Sequence, residues 1–456
     1  MEGRDLLRLT ADRIAGYRAA AATARVGPQF DVAAVRAAFG GPLPDAGEPP
    51  AEVIDRLVRA AEPALVTSVG PRYFGFVIGG ALEAATSADL LATGWDQNGF
   101  NATTSPANAI AEEVAGEWLK ELLAIPPPAS FGLVTGGQGA NTVGLAAGRH
   151  RVLEQAGWDV EERGLAGGPA LRVIASVERH ATIDASLRLL GLGRAALVEV
   201  GVDDQGAIDV AALREALAAE PDRPTIVCAQ AGNVNTGACD DLAAVCDLSR
   251  RLGAWVHVDG AFGLWAAASP TTRHLVDGIE RADSWATDGH KWLNVPYDSG
   301  YAFCADPDAH AVSMSYRAAY LTGHGTGPIR TPGDFVPESS RRARGFATWA
   351  ALRELGRAGV ADLVERCCAH ARAFAGQLAD LPGVTIANRV VLNQVLVDFG
   401  SADRTDHVID TVQRDGTCWM GGTEWRNRRL MRISVSNAAT TADDVEASVA
   451  AIRRAL

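Results

Sequence analysis

Lys291 is the residue whose setting most invites chemistry. It stands in Asp288-Gly289-His290-Lys291-Trp292, at the end of a short apolar run, where an amine stripped of water is a nucleophile. The ordinary alternative is a lysine whose head group reaches back to solvent. Asp259 closes the run Val256-His257-Val258-Asp259 and is followed by Gly260-Ala261-Phe262-Gly263. A carboxylate at the end of a buried strand needs a partner. A protonated pyridine nitrogen is one such partner; a cap on the following segment is another. Thr135-Gly136-Gly137-Gln138-Gly139-Ala140-Asn141 follows a predicted strand and opens a predicted helix. Glycines there let a phosphate approach the free N–H groups of a helix start, although a plain tight turn has the same composition. His180, in Glu178-Arg179-His180-Ala181-Thr182, can lie flat on a ring or shuttle a proton, or be a hydrogen-bonded structural residue. Each feature is weak alone. Together they follow successive strands in the order phosphate loop, histidine, aspartate, lysine, which sets them along one edge of one sheet.

The elements that must position them are legible as a rhythm. Short apolar runs occur at 131–134, 171–175, 225–229, 254–258, 284–286 and 301–304, with helical stretches such as 141–156 and 241–252 between them. This is the βαβ pattern of a largely parallel sheet covered by helices, in which ligands sit beyond the strand ends. A helix with apolar residues from Ile110 to Leu123 ends before Pro126-Pro127-Pro128. Residues 1–85 read as a helical, loop-rich N-terminal segment, 86–338 as the large domain and 339–456 as a small α+β domain, with strands at 390–399 and 430–435. The glycines and prolines of 312–340 read as a mobile loop, and a long helix is expected from about Ser339.

Bulk properties narrow the partners. The chain has 456 residues, 48% of them hydrophobic and 21% charged, as in ordinary globular proteins. A net charge of −13 disfavours nucleic acid and anionic membranes. No apolar run reaches bilayer length, and the N-terminus reads as an amphipathic helix rather than a secretory signal, so a cytoplasmic location is expected. The seven cysteines are scattered with no C-x-x-C pair, which suggests neither a disulfide framework nor a metal site.

The segments 257–263 (HVDGAFG), 282–296 (ADSWATDGHKWLNVP), 338–356 (ESSRRARGFATWAALRELG) and 431–441 (MRISVSNAATT) resemble the group II pyridoxal-phosphate-dependent amino acid decarboxylases. The resemblance runs from about Tyr73 to the C-terminus, and the separations of 32 residues from Asp259 to Lys291 and 111 from His180 to Lys291 fit the family. It implies an α/β chain of fold type I, shared with aspartate aminotransferase, with a mainly parallel seven-stranded sheet. It implies pyridoxal 5′-phosphate as cofactor, held as a Schiff base on Lys291 with Asp259 at the pyridine nitrogen and His180 stacked on the ring. Thr135, Gly136, Gly137 and Gln138 match the phosphate loop; Asp288 and His290 line the same neighbourhood. Thr236 matches a residue near the cofactor, and Ala261 falls in the cofactor-binding set. Tyr320 matches the loop tyrosine that returns a proton to the substrate carbon. Arg432 matches a substrate-carboxylate contact in some members. A homodimer with active sites at its interface is implied, with Phe100 among residues that can serve substrate or the neighbouring subunit.

Two departures stand out. The family's phosphate loop usually reads G-G-S-E-A-N, whereas this chain has Gly136-Gly137-Gln138-Gly139-Ala140-Asn141; and where the family often has H-S-S, this chain has His180-Ala181-Thr182. Decarboxylation of an L-amino acid to amine and carbon dioxide is the expected activity, with a lean towards an aromatic or apolar substrate. Oxidative deamination linked to decarboxylation, transamination and aldol cleavage are alternatives at the same site. A catalytically silent homologue is disfavoured by the presence of both Lys291 and Asp259.

Overall fold

The strands are rich in valine, isoleucine, alanine and aromatic residues, and the structure folds most of them into one buried sheet. A computed structural model describes residues 3–315 and 328–456. Seven strands, β1 (Ser130–Val134), β2 (Arg172–Ser176), β3 (Leu197–Val200), β4 (Thr225–Gln230), β5 (Trp255–Asp259), β6 (Ser284–Asp288) and β7 (Gly300–Cys304), lie in the order β1-β7-β6-β5-β4-β2-β3. Neighbours from β6 through to β3 pair in parallel; β7 alone runs against both β6 and β1. All strands but β3 are buried along their whole length, as parallel sheets covered on both faces require. Strand β3 is absent from the apolar rhythm of the sequence. It is a half-buried edge strand with Glu199 turned outward, so its apolar signal is short.

Helix Gly137–Gln155 lies against β5 because Gly144 leaves room for it. A Cβ there would stand 2.6 Å from the His257 ring. The long helix begins at Arg344 rather than Ser339 and runs to Ala379, broken at Gly356, where φ is +60°.

Four further strands, β8 (Thr385–Ile386), β9 (Gln394–Asp398), β10 (Gly421–Trp425) and β11 (Arg428–Ser434), form a second sheet in the order β10-β11-β9-β8. The chain divides into two units. One holds residues 81–372 and 388–395; the other holds the described residues up to 80 together with 373–387 and 396–456. This differs from the three-part reading of the sequence. The N-terminal segment is not a body of its own. Val26 N–H donates to the Gly416 carbonyl, Phe74 N–H to Trp419 and Ser434 N–H to Phe74, so Phe74, 1% exposed, is threaded into the backbone of the C-terminal residues. Arg72 adds bonds to the Thr417 carbonyl and to Asp444. Among the described residues no helix is long and apolar enough to cross a membrane, and none of the His, Cys, Asp and Glu side chains group as a metal site.

Candidate active site

Strand register brings the glycine loop to the lysine. Val134, Gly300 and Asp288 are aligned across β1, β7 and β6, so the chain leaving β1 passes directly over β7 towards the end of β6. It passes so closely that a Cβ on Gly300 would stand 2.4 Å from Gly136 Cα. The N–H of Gly137, at the helix start, then donates to Asp288 Oδ1 at 2.5 Å. The helix start therefore holds a buried anion, as its partial positive charge favours. The other oxygen of Asp288 lies 2.8 Å from Lys291 Nζ, with the carboxylate 2% and the lysine side chain 20% exposed. Lys291 thus sits against a carboxylate rather than in the wholly apolar setting that its neighbours in sequence suggest.

His290 completes the cluster. The Ser299 N–H donates to its Nδ1 at 3.1 Å, which leaves the ring hydrogen on Nε2, 3.2 Å from Asp288 Oδ1. Burial pulls the His290 pKa below its ordinary value against the opposing pull of Asp288, so the ring bonds Asp288 as a neutral donor. Tyr297 stacks on it at 4.3 Å. The backbone of Asp288 is clamped as well: its N–H donates to the Ala261 carbonyl and its own carbonyl accepts the Trp265 indole N–H at 3.1 Å.

Asp259 ends β5, the strand beside β6, and is 4% exposed. Its Oδ1 accepts the N–H of Ala261 at 3.2 Å, so Ala261 ties the two carboxylate-bearing strand ends together. His180 caps the helix Ala181–Leu189 and is held through Nδ1 by the hydroxyl and N–H of Thr182, at 2.9 and 3.3 Å. Gln138 reaches the same helix, donating to Ser186 Oγ at 3.0 Å. Thr135 is exposed at the mouth of the loop.

The remaining sequence candidates lie elsewhere in the chain. Thr236 is fully buried, and its hydroxyl closes a turn, donating to the Gln205 carbonyl at 2.6 Å and accepting from the Ala238 N–H. Phe100 is 7% exposed; its carbonyl accepts the Gly333 N–H and its ring packs on Gly333. Arg432 is on β11, opposite Gly421, in the unit that contains the second sheet. Tyr320 lies outside the described residues, as does much of the expected mobile loop. Residues that the sequence reading leaves without a role are Asn141 and His257, which hydrogen-bond each other at 2.9 Å behind the site. The available signal was His257 itself: two residues before Asp259 on one strand, it shares that residue's face.

Known proteins resemble this chain in sequence and in fold. The chain is 32% identical over 332 residues to tryptophan decarboxylase 1 of Oryza sativa subsp. japonica, covering 68% of this chain and 63% of that enzyme, just under two thirds of its length. It is 27% identical over 421 residues to the aromatic-L-amino-acid decarboxylase of Bacillus atrophaeus, covering 88% and 85%. Its fold matches the crystal structure of Oryza sativa TDC with PLP and tryptamine at a TM-score of 0.92 and 24% identity, over 99% of this chain and 97% of that one. This confirms the expected type I fold. Residues 35–399, which span the glycine loop, Asp259 and Lys291, match the pyridoxal-dependent decarboxylase conserved domain, and the chain belongs to that family.

Proposed function

We propose that this chain is a pyridoxal 5′-phosphate-dependent decarboxylase of an aromatic L-amino acid. The observation that carries the reading is the Asp288 carboxylate, which binds the glycine-loop N–H on one oxygen and the Lys291 amine on the other. An anion-binding helix start and a nucleophilic amine are thereby held a few bonds apart, as a phosphorylated aldehyde requires.

The residues present fit that cofactor. The phosphate falls to the loop Thr135–Gln138, through the exposed Thr135 hydroxyl and the first-turn N–H groups beyond that of Gly137, which Asp288 already holds. Asp259 takes the pyridine nitrogen, and Lys291 the aldehyde carbon. When bound, the cofactor supplies a carbonyl that condenses with amines and a ring that takes up the electron pair left when carbon dioxide departs. Asp259 keeps the ring nitrogen charged so that it can do so. His180 orients the ring, and Tyr320 returns the proton to the substrate carbon. Arg432 and Phe100 serve the substrate. Aromatic substrates are favoured because the relatives above are decarboxylases of tryptophan and of aromatic amino acids.

The same reading makes the protein a homodimer with its active sites at the interface. Leu7, Val32, Phe39 and Leu57, at 50% exposure or more on the N-terminal helices, are the kind of surface that a second copy covers. It also places the enzyme in the cytoplasm, in keeping with seven cysteines that are all free thiols.

Purified protein supplied with the cofactor tests the activity. Carbon dioxide and amine should form in equal amounts from one or more of tryptophan, tyrosine and phenylalanine. Borohydride treatment should add the reduced cofactor's mass to the wild type and nothing to Lys291→Ala, which should also lack turnover. Cofactor mass gained by Lys291→Ala, or no carbon dioxide from any standard amino acid, would sink the reading.

A further inference from the structure

The hydrogen bonds behind His180 run in one direction, and that direction has an origin. Trp255 carries an indole N–H that can only donate, and it lies 2.9 Å from Ser284 Oγ. Ser284 therefore accepts there and has one hydrogen to give. The nearer acceptor is His257 Nδ1 at 2.9 Å, against 3.4 Å for the Gly144 carbonyl. With Nδ1 accepting, the His257 ring hydrogen sits on Nε2, 2.9 Å from Asn141 Oδ1. That decides which way the Asn141 amide faces, and its Nδ2 donates to Thr182 Oγ1 at 3.1 Å. Thr182 passes its hydroxyl hydrogen to His180 Nδ1 at 2.9 Å, while its backbone N–H approaches the same nitrogen at 3.3 Å. A ring nitrogen that receives two donors carries no proton of its own, so the His180 hydrogen is on Nε2.

We propose that Asn141 and Thr182 are positioning residues that hold His180 as the Nε2–H tautomer, relaying the polarity set by Trp255 through Ser284 and His257. The relay is rigid: Asn141 is 1% exposed, and His257 and Ser284 are fully buried. It does not reverse with pH, because burial pushes the His257 pKa down to about 3 and keeps that ring neutral. It also gives Thr182 a purpose at a position where the chain departs from the serines its family often carries. The consequence is chemical. His180 meets its ligand as a hydrogen-bond donor at Nε2, not as a base there. What that ligand is rests on the cofactor reading above; the tautomer does not.

Histidine-selective ¹⁵N labelling of the cofactor-loaded protein tests this, with the His180 signals identified by their loss in His180→Asn. The wild type should show a pyridine-type Nδ1 and a pyrrole-type Nε2 at His180. Thr182→Val, close to isosteric, should move both towards averaged values, and Thr182→Ser should restore them. A wild-type His180 protonated on Nδ1, or one unchanged by Thr182→Val, overturns the proposal, and the wild-type measurement needs no variant to fold. Turnover should fall about tenfold or more in Thr182→Val, the scale at which outer partners of a functional histidine count, and recover in Thr182→Ser. If the tautomer shifts as expected while turnover is unmoved in Thr182→Val and in His180→Asn alike, the relay stands and the cofactor-facing role of His180 is what fails.

Discussion

Lys291 Nζ lies 2.8 Å from Asp288 Oδ2, a contact between residues one helical turn apart in number but placed at a strand end. The carboxylate is the hub of the site: its other oxygen also serves Gly137, which lies 151 residues earlier, and His290.

Asp288→Ala should therefore loosen both the glycine loop and the amine. The variant should lose about 1–3 kcal/mol of stability, the cost of leaving buried donors unmet, and should retain cofactor more weakly. Urea unfolding and visible absorbance after dialysis check the two effects. Wild-type behaviour in both would mean that Asp288 is not the hub.

Asp259→Asn separates charge from shape. The amide oxygen can keep the 3.2 Å bond from Ala261 N–H, so the strand end should hold its form. The negative charge is lost, and turnover should fall by about a hundredfold or more, as for other removals of a preorganised electrostatic group. Steady-state kinetics on a folded, cofactor-retaining variant decide the matter; near-normal turnover would remove Asp259 from the ring nitrogen.

Tyr320→Phe tests the division between simple decarboxylation and its oxidative alternative. With the proposed proton donor removed, amine output should drop while carbon dioxide release persists, and in aerated buffer molecular oxygen should take up the electron pair, so that aldehyde, ammonia and hydrogen peroxide replace the amine. One incubation assayed for all of these products is sufficient. Unchanged amine output would leave Tyr320 without a role in protonation.

His310 offers a stability test away from the chemistry. It is fully buried, with Nδ1 2.8 Å from Ser130 Oγ and Nε2 3.0 Å from the Phe335 carbonyl, and burial pushes its pKa from 6.5 down to about 3. The unfolded chain thus binds a proton at His310 before the folded one does. Its contribution is complete above about pH 6.5 and is lost as pH falls towards 3. His310→Gln should start less stable at neutral pH and lose less on acidification to pH 5 (roughly halfway through that window). Equal losses in the two proteins would exclude His310 as a source of acid sensitivity.

The amino-acid order by itself determined the periodicities and the residue types at the strand ends. Buried parallel strands must be apolar throughout, so six of the seven strands of the large sheet and the succession Thr135, His180, Asp259, Lys291 could be read directly, as could a helix after the glycine loop, although it starts at Gly137 rather than at 141. The half-exposed edge strand β3 could not, because its pattern is short and mixed. Tertiary structure alone decided that the glycine loop meets the carboxylate beside Lys291, since that follows from the register of β1, β7 and β6, strands more than a hundred residues apart at their extremes. It alone joined the N-terminal segment to the C-terminal sheet, through backbone bonds that leave no periodic trace. It also set the proton on His180, because a relay through Asn141, His257 and Ser284 depends on which donor faces which acceptor, and composition carries no record of direction.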